Sequence, residues 1–260
     1  MIFRRGRIPA GVPRKLLLMS DKSKVGNPDK PKMRKLRIAI DGPAGAGKST
    51  VARMLAQKLG YLYLDTGAMY RALAVTAVDK GIDLNDPVKL GEMARQVDMR
   101  VREDNGVFRV WVDGVELTDR LRGPETDRAV KLLAMARPVR EVLVAIQRKL
   151  AEAGGVVMEG RDITSVVLPD AEVKVFLTAS LEERVRRRWK ELKDRGIQVE
   201  WDEVKEEMVS RDQKDQERTW GRLVQTEDSV FIDSSRMTKE EVCSAIAELC
   251  EARTRCCTGS

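Results

Sequence analysis

The run Gly42-Pro43-Ala44-Gly45-Ala46-Gly47-Lys48-Ser49, followed by Thr50, fits the pattern G-x-x-x-x-G-K-[ST]. Glycines at these positions let successive backbone N–H groups turn inward and form a nest for an anion. A helix opening at Lys48 would add the positive end of its dipole. Lys48 can then reach the β- and γ-phosphates of a nucleotide, and the Ser49 hydroxyl can join the shell of a magnesium ion. The chemistry in view is phosphate binding and phosphoryl transfer.

Other charged residues stand where such chemistry would need them. Asp65 and Thr66 end an apolar run, and Glu159-Gly160-Arg161-Asp162 closes another. Ligands of parallel sheets bind at these carboxyl edges, and the planar fork of an arginine suits phosphate. Arg184, Arg187 and Arg188 are spaced i, i+3, i+4, one helix face. Arginines on such a face can neutralise charge spread over a transferring phosphoryl group, although a charge run is more often a solvated face. Arg211, Asp215 and Arg218 are spaced i, i+4, i+7 and project the same way. As an intrahelical ion-pair ladder they would contribute about 0.3–0.5 kcal/mol per pair. The chain contains no histidine, which removes imidazole bases, His-containing triads and His-ligated metals. Neither D-x-x-G nor N-K-x-D, the marks of signalling GTPases, occurs, and LSGGQ is absent as well.

The elements that must position these residues follow from local pattern. Apolar runs at 36–41, 61–64, 155–159, 173–178 and 230–233 predict five short strands. Helices are expected at 48–59, 68–80, from 86, at 124–135, 138–153, 180–195, 201–220 and 238–251. Asp86-Pro87 is a cap residue followed by proline at the first helical position. Residues 98–104 and 107–112 alternate around Asn105-Gly106, a hairpin signal, and Asp113-Gly114 offers a second tight turn. The expected fold is therefore α/β, a five-stranded parallel sheet covered by helices on both faces, with a small antiparallel insertion between its second and third strands.

Composition sets the remaining limits. The 260 residues carry a net charge of +7, but residues 1–37 alone hold +10 and the other 223 sum to −3. A basic body gripping nucleic acid is thus not expected. Residues 1–35 read as a basic, disordered extension, with Met33 an alternative start; a transit peptide and an RNA- or partner-binding arm remain alternatives. No apolar run reaches the 18 or so residues of a membrane span. Cys243, Cys250, Cys256 and Cys257 form no C-x-x-C pair and lie too late to staple the fold, which fits a reducing cytoplasm.

The segment Ile38–Arg71, together with Glu159–Asp162, Ser180–Arg188, Arg211-Asp-x-x-Asp215-x-x-Arg218 and Val230–Asp233, closely resembles the bacterial cytidylate (CMP) kinases over roughly residues 36–250. The resemblance implies a P-loop core at 36–252, a nucleotide-binding insertion at about 94–130, a helical lid at about 184–222 and a flexible tail at 253–260. It implies transfer of the ATP γ-phosphoryl group to CMP or dCMP with Mg, by a cytoplasmic monomer. Gly42–Thr50 would hold ATP, with Ser49 on the magnesium, and Lys48, Asp65, Arg161, Arg184 and Arg188 would act in catalysis. Thr66, Arg71, Arg140, Arg161, Asp162, Arg211, Asp215 and Arg218 would hold the acceptor. Arg140 resembles the arginine that reads cytosine, Arg71 the one on the acceptor phosphate, and Arg211 and Asp215 the pair on the pentose.

Two departures stand out. Glu159 replaces the usual aspartate, so a contact to magnesium-bound water would be displaced; a structural salt bridge is its bland alternative. Lys131 occupies the position of a serine that bonds the base, and lysine only donates. Two other readings compete. One is a small-molecule kinase such as shikimate kinase, which would lack the hairpin insertion. The other is a binding protein that keeps the loop without catalysis.

Overall fold

In the computed structural model, residues 35–257 are described, apart from 105–106. Residues 1–34, with the expected basic extension, residues 105–106, with the expected tight turn, and residues 258–260 therefore lie outside the description. The described residues form two compact units, one spanning Gly67–Leu150 and the other combining the residues up to Thr66 with those from Ala151 onward.

The second unit is built on five parallel strands. These are β1 (Arg37–Asp41), β2 (Leu62–Asp65), β6 (Val156–Gly160), β7 (Val173–Thr178) and β8 (Val230–Asp233), in the spatial order β2-β6-β1-β7-β8. Ile38 pairs with Val157 on one side and Val173 on the other, so β1 is central. β6 is buried along its whole length, which explains the apolar run Val156–Met158 that leads into Glu159 at its carboxyl end. Helix α1 (Lys48–Leu59) begins directly after the glycine-rich loop. It buries Val51, Ala52, Leu55 and Ala56 and stops at Gly60, whose φ of 65° is the left-handed conformation glycine accepts freely. After β6 the chain makes a single π-helical turn, Ile163–Val167. Helices α6 (Leu181–Asp194) and α7 (Trp201–Glu217) form an antiparallel pair. Ser180 caps α6 by accepting from the Glu183 N–H, and Glu200 and Glu203 form a capping box at α7. Val185, Leu192, Val204 and Met208 make a small separate core between them, and Ala44 of the loop packs against it.

The final helix, α8 (Lys239–Cys257), runs six residues past the Glu251 boundary. It takes in 253–257, which the sequence reading assigned to a tail. No glycine or proline occurs between Thr238 and Cys257 to stop it.

The first unit takes in α2 (Thr66–Asp79) after its first residue, α3 (Pro87–Gln96), α4 (Pro124–Leu133) and α5 (Arg137–Ala151) before its last. Its three-stranded antiparallel sheet is β3 (Met99–Asp104), β4 (Val107–Val112) and β5 (Val115–Glu116). Met99 pairs with Val112 and Asp104 with Val107, the antiparallel pairing expected of a hairpin at these residues. Asp113 and Gly114 both take positive φ, 52° and 84°, as the second tight turn requires. Asp86 caps α3 by accepting from the Val88 and Lys89 amides. Gly91 is needed where α3 meets α5, because a Cβ there would lie 2.4 Å from Pro138 Cβ. The expected insertion at about 94–130 falls within this unit.

Candidate active site

The loop after β1 has the geometry of an anion cradle. Gly42, Gly45 and Gly47 have φ of 153°, 76° and 92°, values that side-chain-bearing residues rarely adopt. A Cβ on Gly42 would sit 1.9 Å from the Leu177 carbonyl oxygen, so the loop is pressed against β7 at its entry. α1 has no side-chain cap, which leaves its first amides open to an external acceptor. These features fit a phosphate group.

The loop carbonyls, by contrast, are taken by the protein's own donors. Lys48 Nζ donates to Pro43 O at 2.8 Å, Arg184 Nη1 to Ala44 O at 3.2 Å, and Arg187 Nη1 to Ala46 O at 3.3 Å. Burial, reinforced by Arg161, lowers the Lys48 ammonium to about 7. An anion on the cradle would favour the charged form again.

Ser49 Oγ donates to Glu159 Oε1 at 2.5 Å, and the Tyr63 hydroxyl lies 3.3 Å from the same oxygen. The hydrogen-bond partners of the Glu159 carboxylate are thus hydroxyls, not the salt-bridge partner of its bland alternative. Its pKa is raised by burial and then by Asp65. A hydroxyl beside a carboxylate is the oxygen-donor chemistry a magnesium ion takes, so the residues present fit that ion. Among the described residues no group of three acidic or cysteine side chains forms a metal cage of its own. Thr66 Oγ1 donates to Glu159 O at 2.8 Å, tying the residue after β2 to the end of β6.

Arg161 and the α7 residues come together. Asp215 is 2% exposed and accepts from Arg161 Nε at 2.8 Å and Arg218 Nη2 at 2.7 Å. Burial raises its pKa, but Arg161 and Arg218 outweigh that and hold the carboxyl below the usual range. The triplet is therefore more than the surface ladder its spacing allowed, because it bridges α7 to the sheet edge. Asp162 is buried and begins the π-turn, its carbonyl accepting from Val166 and Val167.

On α6 the arginines divide. Arg184 is buried and also pairs with Asp212 at 2.6 Å. Arg188 turns instead to Glu191 at 3.0 Å, away from the loop bonds made by Arg184 and Arg187. Arg186 is exposed and pairs with Glu183.

In the Gly67–Leu150 unit, Arg140 is buried 5.4 Å from the Tyr70 ring and donates to Ala134 O at 3.3 Å. Arg71 Nε is buried with no hydrogen-bond partner among the described residues, an orphaned donor that suits an anionic ligand. Lys131 is exposed on α4.

Three residues in the second unit were not singled out from sequence. Asp41, wholly buried, accepts from the Ile163 N–H, the Thr164 N–H and the Thr164 hydroxyl. Burial pushes it up to about 6 against those hydrogen bonds. Its signal was an acid ending an otherwise apolar strand. Asp212 stands inside the Arg211–Arg218 motif but was given no role, and Ser234 gave no signal, being an ordinary polar residue in a polar stretch.

Comparison with known proteins matches residues 38–252 to the cytidylate kinase family model. The cytidylate kinase of Pelotomaculum thermopropionicum is 51% identical over 219 residues, 84% of this chain and 97% of that protein. That of Bacillus subtilis is 44% identical, covering 85% of this chain and 99% of the relative. A solved shikimate kinase from Acinetobacter baumannii, in complex with shikimate, aligns at 17% identity with a TM-score of 0.42, over 85% of this chain and 95% of that one. With the family model spanning most of its length and close relatives matched nearly end to end, this chain belongs to the cytidylate kinase family.

Proposed function

We propose that this protein transfers the γ-phosphoryl group of ATP to CMP or dCMP, giving CDP or dCDP and ADP. The observation that carries the reading is the glycine cradle at Gly42–Thr50, ringed by Lys48, Arg161, Arg184 and Arg187, in a chain of the cytidylate kinase family. The antiparallel sheet in the Gly67–Leu150 unit argues against the small-molecule kinase alternative. The retained Lys48, Asp65 and Arg161 argue against a binding protein without catalysis.

In this reading the loop amides and Lys48 hold the ATP phosphates, and Arg161 and Arg184 neutralise charge as it develops; Arg188 joins them by leaving Glu191. Magnesium, bound with ATP beside Ser49 and Glu159, supplies a cation for the phosphate oxygens. Asp65 and Thr66 line the sheet edge facing the acceptor. Arg71, Arg161 and Arg218 take the acceptor phosphate side, Arg211 and Asp215 the pentose, and Arg140 and Asp162 the nucleoside. The insertion at 94–130 and the lid at 184–222 are the parts assigned to acceptor binding and closure. We place the enzyme in the cytoplasm as a monomer; among the described residues no helix is long and apolar enough to cross a membrane.

A coupled ADP-release assay with a panel of nucleoside monophosphates tests this. CMP or dCMP should give the highest kcat/KM by at least tenfold over AMP and GMP. Equal rates without an acceptor, or preference for shikimate or another non-nucleotide, would overturn it.

A further inference from the structure

We infer that Arg187 and Ser234 are positioning residues that aim the Gly47 amide into the phosphate cradle, acting through the Ala46 carbonyl. The inference rests on reading residues 42–50 as the ATP phosphate loop.

The geometry is specific. Ala46 O is approached by Arg187 Nη1 at 3.3 Å and by Ser234 Oγ at 3.2 Å, the serine's one hydroxyl proton being shared between Ala46 O and Thr178 O, which lies 2.9 Å from it. A trans peptide holds its C=O and N–H antiparallel, and there are no cis peptide bonds among the described residues. Fixing the Ala46 oxygen towards α6 and the end of β8 therefore turns the Gly47 N–H the opposite way. Gly47 has φ of 92°, so without those donors little in its own backbone would select this peptide orientation over a flipped one.

The two anchoring side chains are themselves fixed. Arg187 Nε donates to Glu183 Oε1 at 2.7 Å, and its Nη2 donates to Ser234 O at 2.8 Å. Its Nη1 also donates to Ser234 Oγ at 3.1 Å. Arg186 chiefly, with Arg187, holds the Glu183 carboxyl down at about 2 against its burial, so the anchor stays charged at any working pH. Ser234 is 2% exposed, and its own N–H donates to Thr178 O at 2.8 Å. The guanidinium of Arg187 is thus occupied by a carboxylate, a hydroxyl and two backbone carbonyls. Such a group orients the loop; it is not free to grip a phosphate at the same time. The network joins three elements distant in sequence, α6, the segment after β8 and the loop after β1, and it converges on one oxygen.

The consequence is that a serine making no contact with the amides of the cradle should control affinity for the phosphate chain. Calorimetric titration of the full chain with ADP, and separately with CMP, tests this in wild type, Ser234→Ala, Arg187→Ala and the double variant, with melting temperatures recorded alongside. Both single variants should weaken ADP at least fivefold while leaving CMP within twofold. The double variant should be within about twofold of the weaker single one, since both act through one carbonyl. Wild-type ADP affinity in folded Ser234→Ala, or in folded Arg187→Ala, would overturn the inference. So would weakening by Arg187→Ala with Ser234→Ala silent, which would put Arg187 on the phosphates directly. If the wild-type chain binds no ADP, the phosphate-loop reading itself fails, a result distinct from the others.

Discussion

Asp215 offers the sharpest test of how far the site is built from buried charge. Its carboxylate is 3% exposed as a side chain and bonds Arg161 and Arg218, which are 18% and 14% exposed. Asp215→Ala removes both ion pairs and deprives two largely buried guanidinium groups of the carboxylate they share. Breaking a buried pair in this way costs about 3–5 kcal/mol. Because both arginines keep some access to water, the lower end applies, about 3 kcal/mol. A domain of this size loses about 2–4 °C per kcal/mol, so the melting temperature should fall by about 6–12 °C at neutral pH. The pH dependence has a definite sign. The folded-state pKa is depressed, so the stabilisation is present above the unfolded value near 4 and is lost as pH falls through the lower folded value. The gap between wild type and variant should be constant from pH 5 to 8 and narrow below about pH 4. If Asp215 also holds the pentose, KM for CMP should rise at least tenfold with ADP affinity within twofold of wild type. The readouts are scanning calorimetry across pH and initial rates against CMP. A melting temperature within 2 °C of wild type at pH 7 would refute the buried-network argument, and unchanged CMP kinetics in a destabilised variant would leave the triplet purely structural.

Lys48→Ala should lower kcat at least a hundredfold, about 3 kcal/mol or more of transition-state stabilisation, in steady-state assays; more than half of wild-type turnover would contradict its role. Gly42→Ala should be destabilised by about 4 kcal/mol or more in chemical unfolding, because its Cβ would meet the Leu177 backbone oxygen at 1.9 Å; a variant as stable as wild type would show that the loop entry can shift. A chain beginning at Met33 should keep full kcat/KM while losing any salt-sensitive RNA retention, since the removed residues 1–32 hold most of the excess positive charge and none of the motifs. Tenfold lower efficiency would make the head part of the enzyme.

Much of the architecture was legible because it is local. The five strands, the capped helix at Asp86, the two-stranded alternation around 105–106 and the loop-to-helix step at Lys48 all follow from period, caps and turn residues within a few positions. Where the reading erred, as at the end of α8, the boundary had no local stop signal. The cradle was legible too, because its conformation depends on glycines written into the chain. Partners were another matter. Helical spacing puts Arg184, Arg187 and Arg188 on one face, but only the packing of α6 on the loop sends the first two to Ala44 and Ala46 and leaves the third with Glu191. Likewise, Asp215 meets Arg161 across 54 residues, Glu159 meets Ser49 across 110, and Asp41 meets Thr164 across 123. Such pairs depend on strand order, here β6 beside β1, and on which helix closes over the sheet edge. Periodicity assigns a side chain to a face; what that face meets is decided only when the elements pack and every buried charge must find a counterion or a hydrogen bond.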